Sequence, residues 1–474
     1  MDKKVRIAII GGGVAGSTIS LYLSKLGINI TLFEKNSSLV SGPPICHLHS
    51  GGNLYREIDD NACIRLLRES IDLLKLYPNS IDYRPTILAT PKSDDIEPIS
   101  LLPRLKLLKK EYQKLIDEDI TNSVLCDKEN YYKIYNKDEI LAIKKKDIKK
   151  SPNGFDDWII PFAKNIDLDK FKFPIIIVQE YGLNIFRLSA TLTLLLNNIK
   201  NATIKTNTEV RNIIKSNDKY ILEYNNNREE FDYVINSAGF KTGTIDDMIG
   251  VKRDSLVEFK SAYVTKWQDS TDIWPEVIFF GKRGTPEGMG QFTPYPNGYF
   301  QIHGMTKDIT LFDNGLVKNS NNSSQPILDK KFITKIEKKW NKEDIDKRTQ
   351  KAINHIKQYI PSFQNVQVAS KPLYGAQQIP GNNANLRTAD VTFDGFRYAR
   401  CEIVKASSVL NMSDLIVQNL IKIGFIDKKY YKAREFLYNI DIDDKEISKM
   451  AQKITKDREY PKSLAFRINE TNRC

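Results

Sequence analysis

The sequence predicts an α/β fold: a parallel sheet that opens on a glycine-rich turn, a second domain of antiparallel strands, and a charged helical tail. Three observations carry this prediction. The first is the order strand, GxGxxG, helix, strand, acid between Val5 and Lys35. The second is a pair of later apolar runs, within 173–210 and 231–240, with the β-branched content of buried strands. The third is the stretch 255–310, rich in β-branched and aromatic residues and broken by Arg283-Gly284 and Pro296-Asn297-Gly298.

Val5 to Ile10 is a short apolar run ending at Gly11-Gly12-Gly13-Val14-Ala15-Gly16. Gly11 permits a tight turn, Gly13 lets backbone approach a pyrophosphate, and Gly16 lets helix and strand pack closely. Val14 and Ala15 open the helix, whose free N–H groups and positive dipole end suit phosphates. Ile19, Tyr22, Leu23 and Leu26 share one face of it, and Gly27 stops it. A second strand, Ile28 to Phe33, ends on Glu34 with Lys35 beside it. Glu34 stands at about the twenty-residue spacing of an acid that holds ribose hydroxyls. The complete order reads as a Rossmann-type dinucleotide site rather than a bare glycine turn.

The passage 36–44 is turn-rich, and ICHLHSGGNLYRE follows, with His47 and His49 beside Gly51-Gly52 in a chain that has four histidines. Residues 58–79 read as a helix and 83–90 as an extended piece. Helices are predicted over 104–119 and 136–145, and Lys144-Lys145-Lys146 reads as a solvated face. Residues 173–210 read as strand, turn, helix, strand, and 231–240 as a buried strand ending in Ala238-Gly239. A polar loop spans 314–326, and 327–358 is helical. Strands and turns suited to holding a ligand span 372–395, and 397–425 reads as strand, loop, helix.

Apolar content of 41% and charged content of 27% in 474 residues fit a soluble globular chain. No stretch reaches the roughly 20 apolar residues that span a bilayer, and no signal peptide is visible. Five irregularly spaced cysteines without C-x-x-C point to a reducing compartment and no zinc or other metal site. Lys and Arg outnumber Asp and Glu, 71 to 59, in scattered patches. That excess suits a solvated basic surface first and an anionic membrane surface second. Nucleic acid comes last, because no recognised nucleic-acid motif accompanies the charge.

The order of GGGVAG, QEYGLNIFRL…TEVRNI, VINSAGF and a C-terminal strand-loop-helix resembles the FAD-dependent oxidoreductases of the D-amino-acid oxidase superfamily. The resemblance implies a resident FAD and an interleaved chain. FAD-binding parts would span 1–82, 173–250 and 372–426, antiparallel substrate-domain parts 83–172 and 251–371, and a helical tail 427–474. Within the superfamily, LHSGGNLY, 48–55, is similar to a His-x-Gly stretch of L-2-hydroxyglutarate dehydrogenases and malate:quinone oxidoreductases. That likeness puts His49 at the flavin face and tilts the substrate toward a small 2-hydroxy acid, with a quinone or other carrier as acceptor. The glycine-rich loop usual near the flavin ring instead reads Lys405-Ala406-Ser407-Ser408-Val409.

Oxidising a 2-hydroxy acid needs a base for the hydroxyl proton, a hydride acceptor and cations for the carboxylate. His49 and His303 are the candidate bases, with His47 under the loop and His355 at the surface. Arg84, Arg387 and Arg400 are the candidate carboxylate clamps, because a guanidinium fork bonds two oxygens at once. Tyr295 and Tyr299 could line the pocket. Gly11, Gly13, Val14, Ala15, Gly16, Glu34, Lys35, Ala238 and Gly239 would hold FAD, and Lys405 would steady the reduced ring. The leading expectation is a cytoplasmic FAD-dependent oxidoreductase able to dock at the inner face of a membrane. The alternatives are an amino-acid or amine oxidase of the same fold and a flavin-binding redox sensor or scaffold with little turnover.

Overall fold

A computed structural model describes residues 5–42, 50–270, 272–338, 340–431, 434–438 and 441–469. Two large sheets organise it. The first has six strands in the spatial order Val391–Phe393, Tyr398–Cys401, Tyr233–Asn236, Arg6–Ile10, Asn29–Phe33, Ala202–Lys205. All pair in parallel except the edge strand Val391–Phe393. Parallel strands covered on both faces must be apolar throughout, and Ile7, Ile9, Leu32 and Ile235 are fully or almost fully buried. Helices Val14–Lys25, Ile185–Asn197 and Val409–Lys422 supply Ile19, Leu23, Leu192 and Ile416 to that core.

The second sheet has ten strands, contributed by 86–91, 132–135, 171–178, 255–318 and 366–380. Its longest member, Ser255–Trp267, pairs with Tyr299–Gly304 on one side and Leu373–Pro380 on the other. The alternation of the strands sorts its two faces. Phe292 and Ile302 are register partners that pack on helix Lys342–Lys357 through Ile353 and Ile356. One residue away, Gln291 and His303 are partners on the opposite face.

Three expectations change here. The second sheet is mixed, because Glu276–Phe279 pairs in parallel with Thr86–Pro91. Phe171–Val178 and Leu373–Pro380 join the second sheet rather than the first. Phe171–Val178 ends in the apolar run Ile175–Val178, which reads alike in either sheet, and Leu373–Pro380 owes its place to its pairing with Ser255–Trp267. Cys126 is disulfide-bonded, while Cys63 and Cys401 are buried free thiols, so the cysteines do not all stay unpaired.

The tail contains helix Asp444–Asp457, which packs through Ile447, Ala451 and Ile454 against the apolar core around Ile185–Asn197. Among the described residues no helix is long and apolar enough to cross a membrane, and no cluster of His, Cys, Asp or Glu could hold a metal ion.

Candidate active site

The glycine turn sits where strand Arg6–Ile10 meets helix Val14–Lys25. Gly11 has φ 101°, and a Cβ there would stand 2.4 Å from the Ser237 carbonyl oxygen. A Cβ on Gly16 would stand 1.9 Å from the Gly11 carbonyl oxygen. Gly13 differs, because nothing lies within 4 Å of its would-be Cβ. Gly13 also caps the helix without a side-chain hydrogen bond, so the first-turn N–H groups are available to a ligand. Buried Glu34 accepts from Gly12 N and Asn36 N, each at 2.7 Å. Burial raises its carboxyl above the usual range against those bonds. Ser237, Ala238 and Gly239 close the other side, with Gly239 at φ 59°. An open glycine cradle, an unfilled helix start and an acid after the second strand fit a dinucleotide. Lys35 is exposed and lies 5.8 Å from the Phe240 ring centroid.

A cavity of about 320 Å³ runs from Gly13, Val14 and Ala15 to the polar face of the second sheet. Its far end gathers Lys260, Arg283, His303, Arg387 and Lys405. Glu258 pairs with both Lys260, at 2.7 Å, and Arg283, so that trio keeps a net positive charge. Burial lowers the Lys260 ammonium below its usual range, with Glu258 opposing. Lys405 donates to the Tyr55 hydroxyl and lies 4.4 Å from that ring's centroid. Arg387 lies 5.0 Å from the same centroid and 3.7 Å from Glu57.

His303 Nε2 is 3.0 Å from Met305 Sδ, and Nδ1 is buried without a hydrogen-bond partner among the described residues. Burial first, then the charges of Lys260, Arg283 and Lys405, push its imidazole down to about 3. It is therefore neutral at pH 7.

The expected residues divide. His303, Arg387 and Lys405 come together in the cavity with the glycine turn and Gly239. Arg84 does not line it, because its guanidinium is buried against Glu276. Nor does Arg400, which bonds Asp246, Asp394 and Thr392 and ties its strand to helix Thr242–Met248. Tyr295 and Tyr299 also stand outside the lining. His355 is buried rather than superficial, on the helix face turned to Gly290 and Tyr359. His47 and His49 lie outside the described residues.

Sequence reading missed Lys260, Arg283, Tyr55 and Gln291. A signal existed for the first: Glu258 and Lys260 are charges two apart in the middle of a long β-rich run. Charges there are costly unless paired or used.

Comparisons with known proteins agree with this geometry. Residues 6–123 match the FAD dependent oxidoreductase family, DAO. No curated protein matches the chain. Among solved structures, glycine oxidase from Geobacillus kaustophilus is 11% identical with TM-score 0.57, covering 93% of this chain and 100% of its own. L-proline dehydrogenase from P. horikoshii is 15% identical with TM-score 0.57, covering 92% and 98%. L-alpha-glycerophosphate oxidase from Mycoplasma pneumoniae, with FAD bound, is 14% identical with TM-score 0.54, covering 88% and 94%. At these identities the structures share the fold, while the sequence match marks the N-terminal region. The family match over residues 6–123 is to FAD-dependent oxidoreductases, and the solved structures share the fold of the chain.

Proposed function

We propose that the chain oxidises a small 2-hydroxy acid, holding its carboxylate at the cationic end of the cavity. One observation carries this reading: Lys260, Arg283 and Lys405 act on a neutral histidine in a cavity that Arg387 also lines. A carboxylate entering that end meets net positive charge in a partly water-free space, where charge-assisted hydrogen bonds are strong. A protonated amine would meet repulsion at the same place.

FAD, when bound along the glycine turn, supplies the two-electron acceptor for the hydride. The protein's own residues supply position and proton transfer. Arg283 offers its planar fork to the carboxylate, and Lys260 shares the charge. In the tautomer that directs Nε2–H at Met305 Sδ, His303 Nδ1 carries the lone pair that takes the substrate hydroxyl proton. A bound carboxylate offsets the three cations that suppress His303, so its basicity rises when substrate is in place. Lys405 and the donors of the Ala406–Ser408 turn supply positive potential near the loop that closes the cavity.

The second reading is oxidation of an amino acid or amine. It is favoured by relatives of the same fold named glycine oxidase and L-proline dehydrogenase. A quinone or other carrier as acceptor, reached at an anionic membrane surface, fits the net charge of +12. A redox sensor with little turnover uses the same flavin site without the cationic end.

Anaerobic mixing of the holoenzyme with lactate, malate or 2-hydroxyglutarate, followed by visible absorbance, tests the proposal. Bleaching of the flavin band by a hydroxy acid supports it. Bleaching only by amino acids or amines moves the assignment to the second reading, and no bleaching by either class favours the sensor.

A further inference from the structure

The C-terminal segment reaches the wall of the cofactor cavity through the side chain of Arg458. Arg458 caps the end of helix Asp444–Asp457. Its Nη2 donates to Leu39 O at 2.6 Å and to Ser38 Oγ at 2.9 Å. Nε donates to the same hydroxyl at 3.1 Å, and Nη1 donates to Val40 O at 3.1 Å. Ser189 Oγ, 3.3 Å from Nη2, donates to Leu39 O at 2.6 Å and braces the loop from a second helix.

The loop held in this way is unusual. Val40 has φ 53°, a left-handed conformation that a β-branched residue almost never adopts unless its surroundings impose it. Two contacts impose it here: Val40 N donates to Gly12 O at 2.7 Å, and Val40 O accepts from Arg458. Leu39 lies against the turn, since a Cβ on Gly12 would stand 2.7 Å from Leu39 Cδ2. Val40 itself lines the cavity beside Gly13, Val14 and Ala15.

We propose that Arg458 is a positioning residue for FAD, holding the Ser38–Val40 loop, with Val40 left-handed, as the cavity wall beside the dinucleotide turn. The arginine fork suits this work because it reaches three oxygens of the loop in fixed directions, which a lysine point charge cannot. The residue lies far outside the family match over 6–123, so the chain secures its cofactor from its own tail. The mechanism is conformational: Arg458 offsets the cost of a left-handed valine, and that cost disappears when residue 40 is glycine.

A double-mutant cycle tests this. Flavin release from the holoenzyme is followed by the fluorescence that appears on dilution, and the visible circular dichroism of bound flavin reports the same site without dissociation. In the native background R458M loses the donors to the three loop oxygens, and flavin binding weakens about tenfold. In the V40G background the same change weakens binding about twofold or less. R458K gives a smaller loosening that V40G also suppresses, and it takes the place of R458M in the cycle if the methionine variant does not fold. Equal weakening in both backgrounds, or unaltered flavin release and dichroism in R458M, overturns the proposal. Wild-type protein that takes up no flavin would instead refute the FAD assignment itself.

Discussion

Arg84 and Glu276 form an ion pair in which neither side chain is more than 1% exposed. Glu276 also accepts from Thr293 Oγ1 at 3.1 Å and from Gln291, a residue of the cavity wall. The arginine in the extended piece 83–90 therefore supports the wall from behind and does not line the cavity. Removing it leaves a carboxylate buried without its cation. Arg84→Met should destabilise the protein by about 3–5 kcal/mol, read by urea denaturation. The KM of whatever substrate reduces the flavin should stay within about twofold for the folded enzyme.

Arg283 should behave in the opposite way. It is half-buried in the cavity, and its proposed partner is the substrate. Arg283→Gln should raise KM about 10- to 100-fold, the worth of a charge-assisted hydrogen bond. FAD content, measured by absorbance after extraction, should not change. An unaltered KM would remove Arg283 from the carboxylate site.

His303 predicts a pH dependence of stability with a definite sign. Its imidazole titrates at about 3 in the folded chain and at about 6.5 when unfolded. The unfolded state therefore binds more protons between these values, and stability falls as pH is lowered through that window. Above about 6.5 the contribution is complete. His303→Gln should flatten the stability difference between pH 7 and pH 4.5, measured by denaturant titration at each pH. An identical slope in wild type and variant would contradict the placement of His303 among cations.

The glycines of the turn should separate folding from cofactor binding. Gly16→Ala places a Cβ 1.9 Å from the Gly11 carbonyl oxygen, so the strand and helix must part. Its melting temperature should drop sharply even without added flavin. Gly13→Ala meets open space and should melt within a few degrees of wild type. Its Cβ enters the cradle instead, so flavin binding should weaken about tenfold or more. Equal behaviour of the two variants would mean that the cradle at Gly13 is not the dinucleotide site.

Much of the first sheet was legible because its evidence is local. The helices read over 58–79, 104–119 and 136–145 appear as Asp60–Leu76, Leu102–Glu118 and Lys137–Ile143. The last begins on a capping box from Asn136 and Glu139, a signal contained in four consecutive residues. Arg84 and Arg400 were misplaced for the converse reason. Whether an arginine meets solvent, a ligand or a buried aspartate depends on elements far away in sequence. Asp246 and Glu276 cannot be assigned as their partners from spacing alone.

The sequence by itself determined the dinucleotide turn, because a φ of 101° at Gly11 and close packing at Gly16 are demands met by residues a few positions apart. It also determined that helices, not further strands, follow the first two strands' turns, through apolar spacing along the chain. Tertiary structure alone decided the chemistry of the cavity. Lys260 stands opposite Gly375, and His303 stands opposite Gln291. A slip of one residue in either pairing would turn those side chains to the other face of the sheet, among Phe292 and Ile353. Register is a relation between strands distant in sequence, and it turns Lys260 and His303 toward the cavity, where loops outside the strands add Arg283, Arg387 and Lys405.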